Sequence, residues 1–314
     1  MPITIRPATL ADVPAITALH RSDIVAWKRW DAQGMERLAR YEELTTYERW
    51  LNGGAWFDET TCAHHLQRWQ ANGGVAFVAE IEGQVLAEAE AILSDEPFAF
   101  GRNLTISVIY TRRGYAGRGL GSALMTELTT LAQHERCDTL MVGHAEAPEF
   151  YAKHGFRHWQ TVRRVRVPVK ASRTHYQAKA FDDELYETVR GWAMPIGRYQ
   201  SARQEWERLR PNAEPDFPEW RDLRLERWLL TVRRSPARLM LDESPRYPGV
   251  ANVHLWLPPA ARLTRQLLAA VCDQAARSGF SELACLLSEA HLATLEVEWR
   301  EDDYEQQVWL KELV

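Results

Sequence analysis

The sequence predicts an α/β fold built on a mixed β-sheet, and three stretches indicate it. Apolar side chains alternate with polar ones over Leu104–Val108, which is typical of a half-buried strand. A helix is predicted over Ser122–His134, where leucines recur on one face. A hairpin is predicted where Val75–Ile81 and Gln84–Ile92 flank a short glycine turn. Strands and helices alternating in this way indicate a sheet with helices on both faces.

Length and composition narrow the possible classes of protein. The chain has 314 residues, which favours two domains, and a net charge of −5, which argues against nucleic acid as a partner. It has no apolar run of about 18 residues and no signal-peptide pattern at its start. Its four cysteines are scattered, which is typical of a reducing compartment and of neither a disulfide framework nor a metal site. We therefore expect a cytoplasmic monomer or homodimer without a metal, a membrane or a nucleic acid partner.

The glycine-rich turn between the strand and the helix is the most informative stretch. Gly117, Gly119 and Gly121 alternate with other residues, so the backbone amides there are little shielded by side chains. The following helix adds unpaired N–H groups and the positive end of its dipole. This combination suits a diphosphate group, although an ordinary strand-to-helix turn is the alternative. The spacing fits neither a dinucleotide fingerprint nor a Walker loop.

The turn resembles the coenzyme A loop of the Gcn5-related N-acetyltransferases (GNAT), with Ala116 at the position of the family's leading Gln or Arg. A second stretch, His144–Phe156, is similar to another signature of that family, with His144 in place of its Asn. The matching positions in this second stretch are Ala147, Phe150, Tyr151, Gly155 and Phe156.

This resemblance implies a GNAT fold and acetyl-coenzyme A as co-substrate. It implies that Tyr151 protonates the departing thiolate, the alternative being a packing role on a short helix. Arg112 and Arg113 flank the loop and suit coenzyme phosphates. The coenzyme-binding residues that it implies are Ile109, Tyr110, Thr111, Ala116, Gly117, Arg118, Gly119, Leu120, Gly121, Ser122 and His144.

Two glutamates are candidates for the base that deprotonates the acceptor amine. Glu88 and Glu90 are two apart on a predicted strand and face the same side, while small alanines face the other. The alternative is a solvated sheet face that carries two carboxylates. Several tryptophans precede this strand, and they either pack helices onto the sheet or form an aromatic wall around the acceptor.

The second half of the sequence is predicted to be a further α/β domain. We expect a catalytic domain over residues 1–170, a linker over 171–180, and a degenerate GNAT-like domain over 181–314. Helical material is predicted over 182–207 and 219–234, and an amphipathic helix over Arg262–Arg277, preceded by Pro258 and Pro259 where a coenzyme loop would stand. Tandem proteins of the family have a comparable layout, and an unrelated α/β extension is the alternative. The arginines of the strand over 160–169 are expected on a solvated or interdomain face.

The function implied is acetyl-coenzyme A-dependent transfer of an acetyl group to a primary amine of a small molecule by direct attack. Such a reaction needs a positioned thioester, a base and an acid, and no covalent enzyme intermediate. Three alternatives stay open: a peptide or protein amine as acceptor, a longer acyl donor, and a non-catalytic acyl-coenzyme A-binding regulator. The departures at Ala116 and His144 favour the regulator, whereas Glu88 and Glu90 would attract a cationic amine.

Overall fold

The computed structural model describes residues 2–31, 35–210, 223–294 and 298–313. These residues form two compact units. The first contains the described residues up to Leu93 together with Ile106–Arg136. The second contains Ser94–Thr105 and the described residues from Cys137 onward. Residues 219–222, the start of a predicted helix, lie outside the described residues, as do residues 211–218.

Strands and helices follow one another along both units. The strands are β1 (Thr4–Pro7), β2 (Trp27–Trp30), β3 (Glu36–Ala39), β4 (Gly74–Ile81), β5 (Gln84–Asp95), β6 (Arg102–Thr111), β7 (Thr139–Val142), β8 (Arg157–Pro168), β9 (Gln177–Ala180), β10 (Ala193–Ile196), β11 (Leu225–Val232), β12 (Ser235–Glu243), β13 (Val250–Leu257), β14 (Glu282–Ser288) and β15 (Arg300–Glu312). The helices are α1 (Val13–Arg21), α2 (Thr46–Leu51), α3 (Glu59–Ala71), α4 (Leu120–His134), α5 (Pro148–Lys153), α6 (Ala202–Arg208), α7 (Arg265–Arg277) and α8 (Glu289–Thr294).

In the first unit the strands are ordered β1–β4–β5–β6, and helices α1 and α3 pack on this sheet. Their shared core contains Ile16 of α1, Leu66 and Trp69 of α3, and Val78 of β4. Burial of each such side chain contributes about 1.5–3 kcal/mol to the free energy of folding. The hairpin predicted over residues 75–92 is confirmed as the antiparallel pair β4–β5. Because α1 and α3 cover β5 through this core, side chains from both helices reach the strand that carries the two glutamates.

The second unit has the strand order β7–β15–β8–β14–β13–β12–β11–β9, and β10 pairs with β13. Most pairs are antiparallel, but β13 and β14 run parallel and are connected through α7. The sheet is therefore mixed, as the sequence predicts. Helix α7 buries Leu268 and Val271 in a core that includes Leu255 of β13 and Leu283 of β14.

Strand β15 lies between β7 and β8 and is antiparallel to both. Its acidic residues pair with the arginines of β8: Arg166 and Arg164 contact Asp302, and Arg163 contacts Glu301. Of the two surroundings expected for these arginines, a solvated or an interdomain face, the solvated one is wrong for Arg166, which is buried beside that carboxylate. An arginine rarely becomes buried without such a partner, and its partner is too distant in the sequence to be recognised there.

Two predicted helical stretches of the second half are wrong in part. Residues 225–232 form the strand β11, which pairs with β12 on one side and β9 on the other. The stretch predicted as helical over 182–207 contains a short 3₁₀ helix at Tyr186–Thr188, the strand β10 and most of the short helix α6. Tertiary pairing outweighs local helix propensity in these segments. The stretch predicted as a linker contains β9, and the predicted domain boundaries near 170 and 181 stay a prediction.

Candidate active site

The glycine-rich loop has the conformation that its glycines allow. Gly117 and Gly119 have φ angles of 77° and 89°, in the left-handed region that other residues rarely adopt. Gly119 is the N-cap of α4, and the first helical hydrogen bond runs from the amide of Ala123 to its carbonyl oxygen at 2.9 Å. The preceding amides of Leu120 and Gly121 therefore have no acceptor within the helix. Among the described residues, no atom lies within 4 Å of the position that a Cβ at Gly117 would take.

Two hydrogen bonds fix the start of the loop to the sheet and to α1. The amide of Arg112 donates to the carbonyl oxygen of Leu86 at 2.8 Å, and the amide of Arg113 donates to the hydroxyl of Ser22 at 2.9 Å. Inside the loop the Arg118 guanidinium lies over the Tyr115 ring, 4.7 Å from its centroid. The side chain of Leu120, the first residue of α4, is buried. These contacts position the backbone at the N-terminus of α4.

Glu88 and Glu90 are buried side by side on β5, with 1% and 2% of their surface exposed. The alternative of a solvated sheet face is therefore wrong. Each carboxylate contacts a histidine from a different helix: Glu88 contacts Nε2 of His20 on α1, and Glu90 contacts Nε2 of His65 on α3. The indole Nε1 of Trp56 also donates to Glu90, at 3.0 Å. Buried carboxylates without such partners would be strongly unfavourable.

The ring of His20 is held between aromatic side chains. Its centroid lies 4.4 Å from that of Tyr110 and 5.4 Å from that of Trp56, in stacked geometry. The Tyr110 hydroxyl in turn donates to Asp23 at 2.7 Å. Tyr110 belongs to the segment predicted to bind the coenzyme, so the first unit brings the carboxylates, His20 and the start of the loop together.

The two carboxyl groups have opposite shifts of pKa. Burial raises the pKa of Glu88 above its ordinary value, and the neighbouring Glu90 acts in the same direction, against the opposing effect of His20. Burial also acts to raise the pKa of Glu90, but the charge and hydrogen bond of His65 and the hydrogen bond of Trp56 outweigh it and the pKa is lowered. The charge and hydrogen bond of Glu90 likewise raise the pKa of His65 against desolvation. The sequence treats these glutamates alike, whereas the structure distinguishes them.

Tyr151 and His144 lie in the second unit. Tyr151 is buried on α5, and its ring contacts Phe150 and Phe156 with centroids 5.3 and 5.6 Å away. Burial, with a smaller contribution from the Glu146 charge, raises the pKa of its hydroxyl well above the usual range. Tyr151 therefore holds its proton at neutral pH, as an acid must.

His144 lies two residues after the end of β7, and its ring stacks on Tyr304 of β15 with ring centroids 5.9 Å apart. Its Nε2 is 3.4 Å from Glu146, and its Nδ1 is buried without a hydrogen-bond partner among the described residues. The next amide, of Ala145, donates to the carbonyl oxygen of Gln307 at 3.1 Å. Strand β15 thus supports the turn that leads to Tyr151.

The sequence analysis did not predict that His20 and His65 are the partners of the glutamates, whereas Trp56 is one of the tryptophans for which it left a packing role and an acceptor wall open. For His20, the sequence does contain a signal of burial. His20 continues the buried positions Val13, Ile16 and Thr17 of α1 at helical spacing, and a polar residue on a buried face calls for a partner. Trp69 packs in the core, as expected of a packing tryptophan.

Known proteins are similar to this chain both in sequence and in fold. Residues 37–156 match the acetyltransferase (GNAT) family, a segment that contains the two glutamates, the loop and Tyr151. The chain contains a GNAT acetyltransferase domain. Because this family transfers acyl groups from acyl-coenzyme A, the domain makes the protein an acyltransferase. A comparison with curated proteins gives no match.

Solved structures extend the similarity beyond the GNAT segment. A GCN5-related N-acetyltransferase from Kribbella flavida is 11% identical over 99% of this chain and 72% of its own, with a TM-score of 0.57. One from Anabaena variabilis is 9% identical over 98% of this chain and 72% of its own, with a TM-score of 0.60. Eis1 from Mycobacterium abscessus is 13% identical over 99% and 73%, with a TM-score of 0.53. At this identity the likeness concerns the fold, and it confirms the predicted GNAT fold.

Two further findings concern the described residues alone. They contain no group of three or more His, Cys, Asp and Glu side chains arranged to hold a metal ion. None of their helices is both long enough and apolar enough to span a membrane.

Proposed function

We propose that this chain is an acetyl-coenzyme A-dependent N-acetyltransferase that acts on a primary amine of a small molecule. The observation that carries the proposal is the open glycine loop at the N-terminus of α4, within the segment that matches the GNAT family. Amides at a helix N-terminus favour an anionic group such as a diphosphate. With Gly117 and Gly119 at the loop, no side chain of these residues would obstruct a ligand.

The remaining residues have roles that follow from their environments. Residues 109–111 and 116–122, with His144, would hold the coenzyme, which supplies the acyl thioester. A buried glutamate of β5 would take a proton from the acceptor ammonium, because only the neutral amine attacks. Tyr151 would give its proton to the thiolate, since the raised pKa of its hydroxyl keeps it protonated at neutral pH. The buried carboxylates also favour a cationic acceptor over an anionic one.

We also propose that residues 181–314 are a degenerate GNAT-like domain, separated by the linker 171–180 from a catalytic domain over residues 1–170. In support, β13, α7 and β14 repeat the order of strand, long helix and strand, and β13 and β14 run parallel. Pro258 and Pro259 follow β13 where the coenzyme loop would stand, and a proline has no amide hydrogen for a phosphate.

The proposal is tested by binding and by turnover on the full chain. Calorimetry with acetyl-coenzyme A and with free coenzyme A should show heat for both. Incubation with acetyl-coenzyme A and pooled primary amines should release thiol. Tyr151→Phe should lower kcat about 100-fold with unchanged coenzyme binding. Absence of heat would contradict coenzyme binding, and full turnover of the Phe variant would remove the acid role.

Ala116 and His144 favour one competing function, a regulator that binds acyl-coenzyme A without catalysis. Both differ from the family pattern at positions that contact the coenzyme in that family. Heat with acetyl-coenzyme A but no thiol release with any amine would favour the regulator. Peptides with a free N-terminus belong in the amine pool, since they separate a peptide acceptor from a small molecule.

A further inference from the structure

The two buried glutamates of β5 are equivalent in the sequence but have different surroundings. Glu88 and Glu90 project from the same face of the strand, and each contacts one histidine. The histidines come from different helices, His20 from α1 and His65 from α3. Their hydrogen bonds, neighbours and charges decide which carboxylate is able to accept a proton.

Both carboxylate oxygens of Glu90 have hydrogen-bond partners. Its Oε1 accepts from Trp56 at 3.0 Å, and its Oε2 lies 2.8 Å from Nε2 of His65. The pKa of Glu90 is lowered and that of His65 is raised, and both shifts favour the ionised form of the pair. A carboxylate held by two donors and a positive charge binds an additional proton poorly.

Among the described residues, the carboxylate of Glu88 has a single hydrogen-bond partner. Within the described part of the chain its hydrogen bonding is confined to Nε2 of His20. Burial raises its pKa toward the range where a general base works, and the Glu90 charge adds to this effect. The other titratable groups that face it from the packed elements are His65 and Cys62 of α3. Glu88 therefore retains a free proton-accepting capacity that Glu90 lacks.

The pair Glu88–His20 also lies nearer to the coenzyme loop. His20 stacks on Tyr110, at the end of the strand that leads into the loop. His65 instead stacks on Trp69 of its own helix, with centroids 5.9 Å apart. Stacking on Tyr110 and Trp56 fixes the plane of the His20 ring and so directs Nε2 at Glu88.

We propose that Glu88 accepts the proton of the acceptor ammonium, that His20 positions Glu88, and that Glu90 with His65 and Trp56 is a fixed charge rather than a base. This assignment rests on the proposed function. The ammonium loses two protons as it becomes an amide N–H: Glu88 takes one and passes it to solvent, and the other replaces the proton that Tyr151 donates. The nitrogen lone pair forms the C–N bond, the C–S bond breaks, and the thiolate takes the proton of Tyr151.

A titration without turnover gives the first test. The full chain, labelled with carboxyl-¹³C glutamate, is titrated by NMR, and Glu88→Gln and Glu90→Gln identify the two signals. We expect the Glu88 carboxyl to titrate at higher pH than the Glu90 carboxyl, and His20→Ala to move only the Glu88 signal. A higher titration for Glu90, or a Glu88 signal that His20→Ala leaves unmoved, would overturn the assignment.

Turnover gives the second test, with thiol release from acetyl-coenzyme A followed against pH. We expect Glu88→Gln to lower kcat about 100-fold and to remove the acidic limb of the profile, which Glu90→Gln retains. His20→Ala should lower kcat and shift the acidic limb to a different pH. His20→Gln, whose amide N–H replaces the Nε2 donor, should restore both. Loss of the limb in Glu90→Gln and not in Glu88→Gln would overturn the proposal.

The outcomes separate this proposal from the proposed function. Absence of heat with acetyl-coenzyme A contradicts the proposed function itself. Normal heat and turnover with an acidic limb that depends on Glu90 contradicts only the assignment of the base. Circular dichroism and thermal unfolding of each variant identify any variant that fails to fold, in which case Glu88→Asp and His20→Gln, which retain the polar groups, decide the result.

Discussion

Nε of Arg166 and Oδ2 of Asp302 lie 2.6 Å apart, although the two residues are separated by 136 positions in the sequence. Asp302 also accepts from Arg164 at 2.9 Å. Both residues belong to the second unit, where they connect the neighbouring strands β8 and β15, and Arg166 is buried. Asp302 is therefore the hydrogen-bonded counter-charge of this buried arginine, and a second carboxylate, of Glu282, lies farther away, 3.8 Å from Nη1.

Asp302→Ala should lower the free energy of unfolding by about 3 kcal/mol, because it leaves a buried guanidinium without its hydrogen-bonded carboxylate and with only the more distant Glu282. Urea unfolding measures the change. The matched control is Glu301→Ala, which breaks the exposed pair with Arg163 on the same two strands and should cost less than about 1 kcal/mol. Equal losses in the two variants would show that burial of Arg166 is not the source of the effect.

Gly117→Ala should weaken binding of acetyl-coenzyme A at least about tenfold, because the new Cβ occupies the open side of the loop. Gly83→Ala is a matched control. Gly83 has a φ of 75° and, like Gly117, no described atom within 4 Å of the place that a Cβ would take, but it lies in the β4–β5 turn. Both substitutions should cost about 1 kcal/mol of stability. Calorimetry should find lost affinity in the first variant alone, and an equal loss in both would argue against the loop as the binding site.

Asp12→Asn should lower stability at neutral pH by about 2 kcal/mol and have little effect near pH 2. The hydrogen bonds from Arg6, helped by the amide of Thr9, lower the pKa of Asp12 to about 2. A carboxyl whose folded pKa is depressed stabilises the fold above its unfolded pKa near 4 and loses this effect as pH falls toward 2. Urea unfolding at several pH values measures the difference between the two proteins, and a difference independent of pH would contradict this origin.

Replacing Arg233 and Arg234 by Asn and Gly should raise the free energy of unfolding by about 1 kcal/mol. Both arginines have positive φ, 48° and 69°, in the two-residue turn between β11 and β12. Asn-Gly is the preferred sequence for such a turn. Arg136→Gly, at another positive φ of 54°, tests whether relief of left-handed strain alone stabilises the chain. A less stable double variant would show that the arginine side chains matter more than the backbone conformation.

The same turn explains why β11 was not recognisable in the sequence. Hairpins are identified by Asn-Gly or Asp-Gly between alternating strands, and Arg-Arg gives no such signal. The segment Leu225–Val232 also carries apolar residues at spacings that a helix tolerates. The strand forms because β12, directly after the turn, and β9, much earlier in the sequence, supply its hydrogen bonds.

Local patterns did predict the elements around the candidate site. The glycine loop, helix α4, the hairpin β4–β5 and the shared face of Glu88 and Glu90 follow from spacing within short segments. The partners of the glutamates do not, because His20 and His65 lie on separate helices 68 and 25 residues away. The place of β15 between β7 and β8 is likewise a long-range pairing that no local pattern records.

The position of β15 has a consequence for how the chain is synthesised. Strands β7 and β8 leave the ribosome well before residues 300–312 exist, and until then each has an unsatisfied backbone edge on the side that β15 will occupy. Such edges invite pairing with other nascent chains, so the growing polypeptide has a long interval in which aggregation competes with folding. Translation speed and chaperone supply should therefore influence the yield of this protein more than that of a chain whose sheet closes in sequence order.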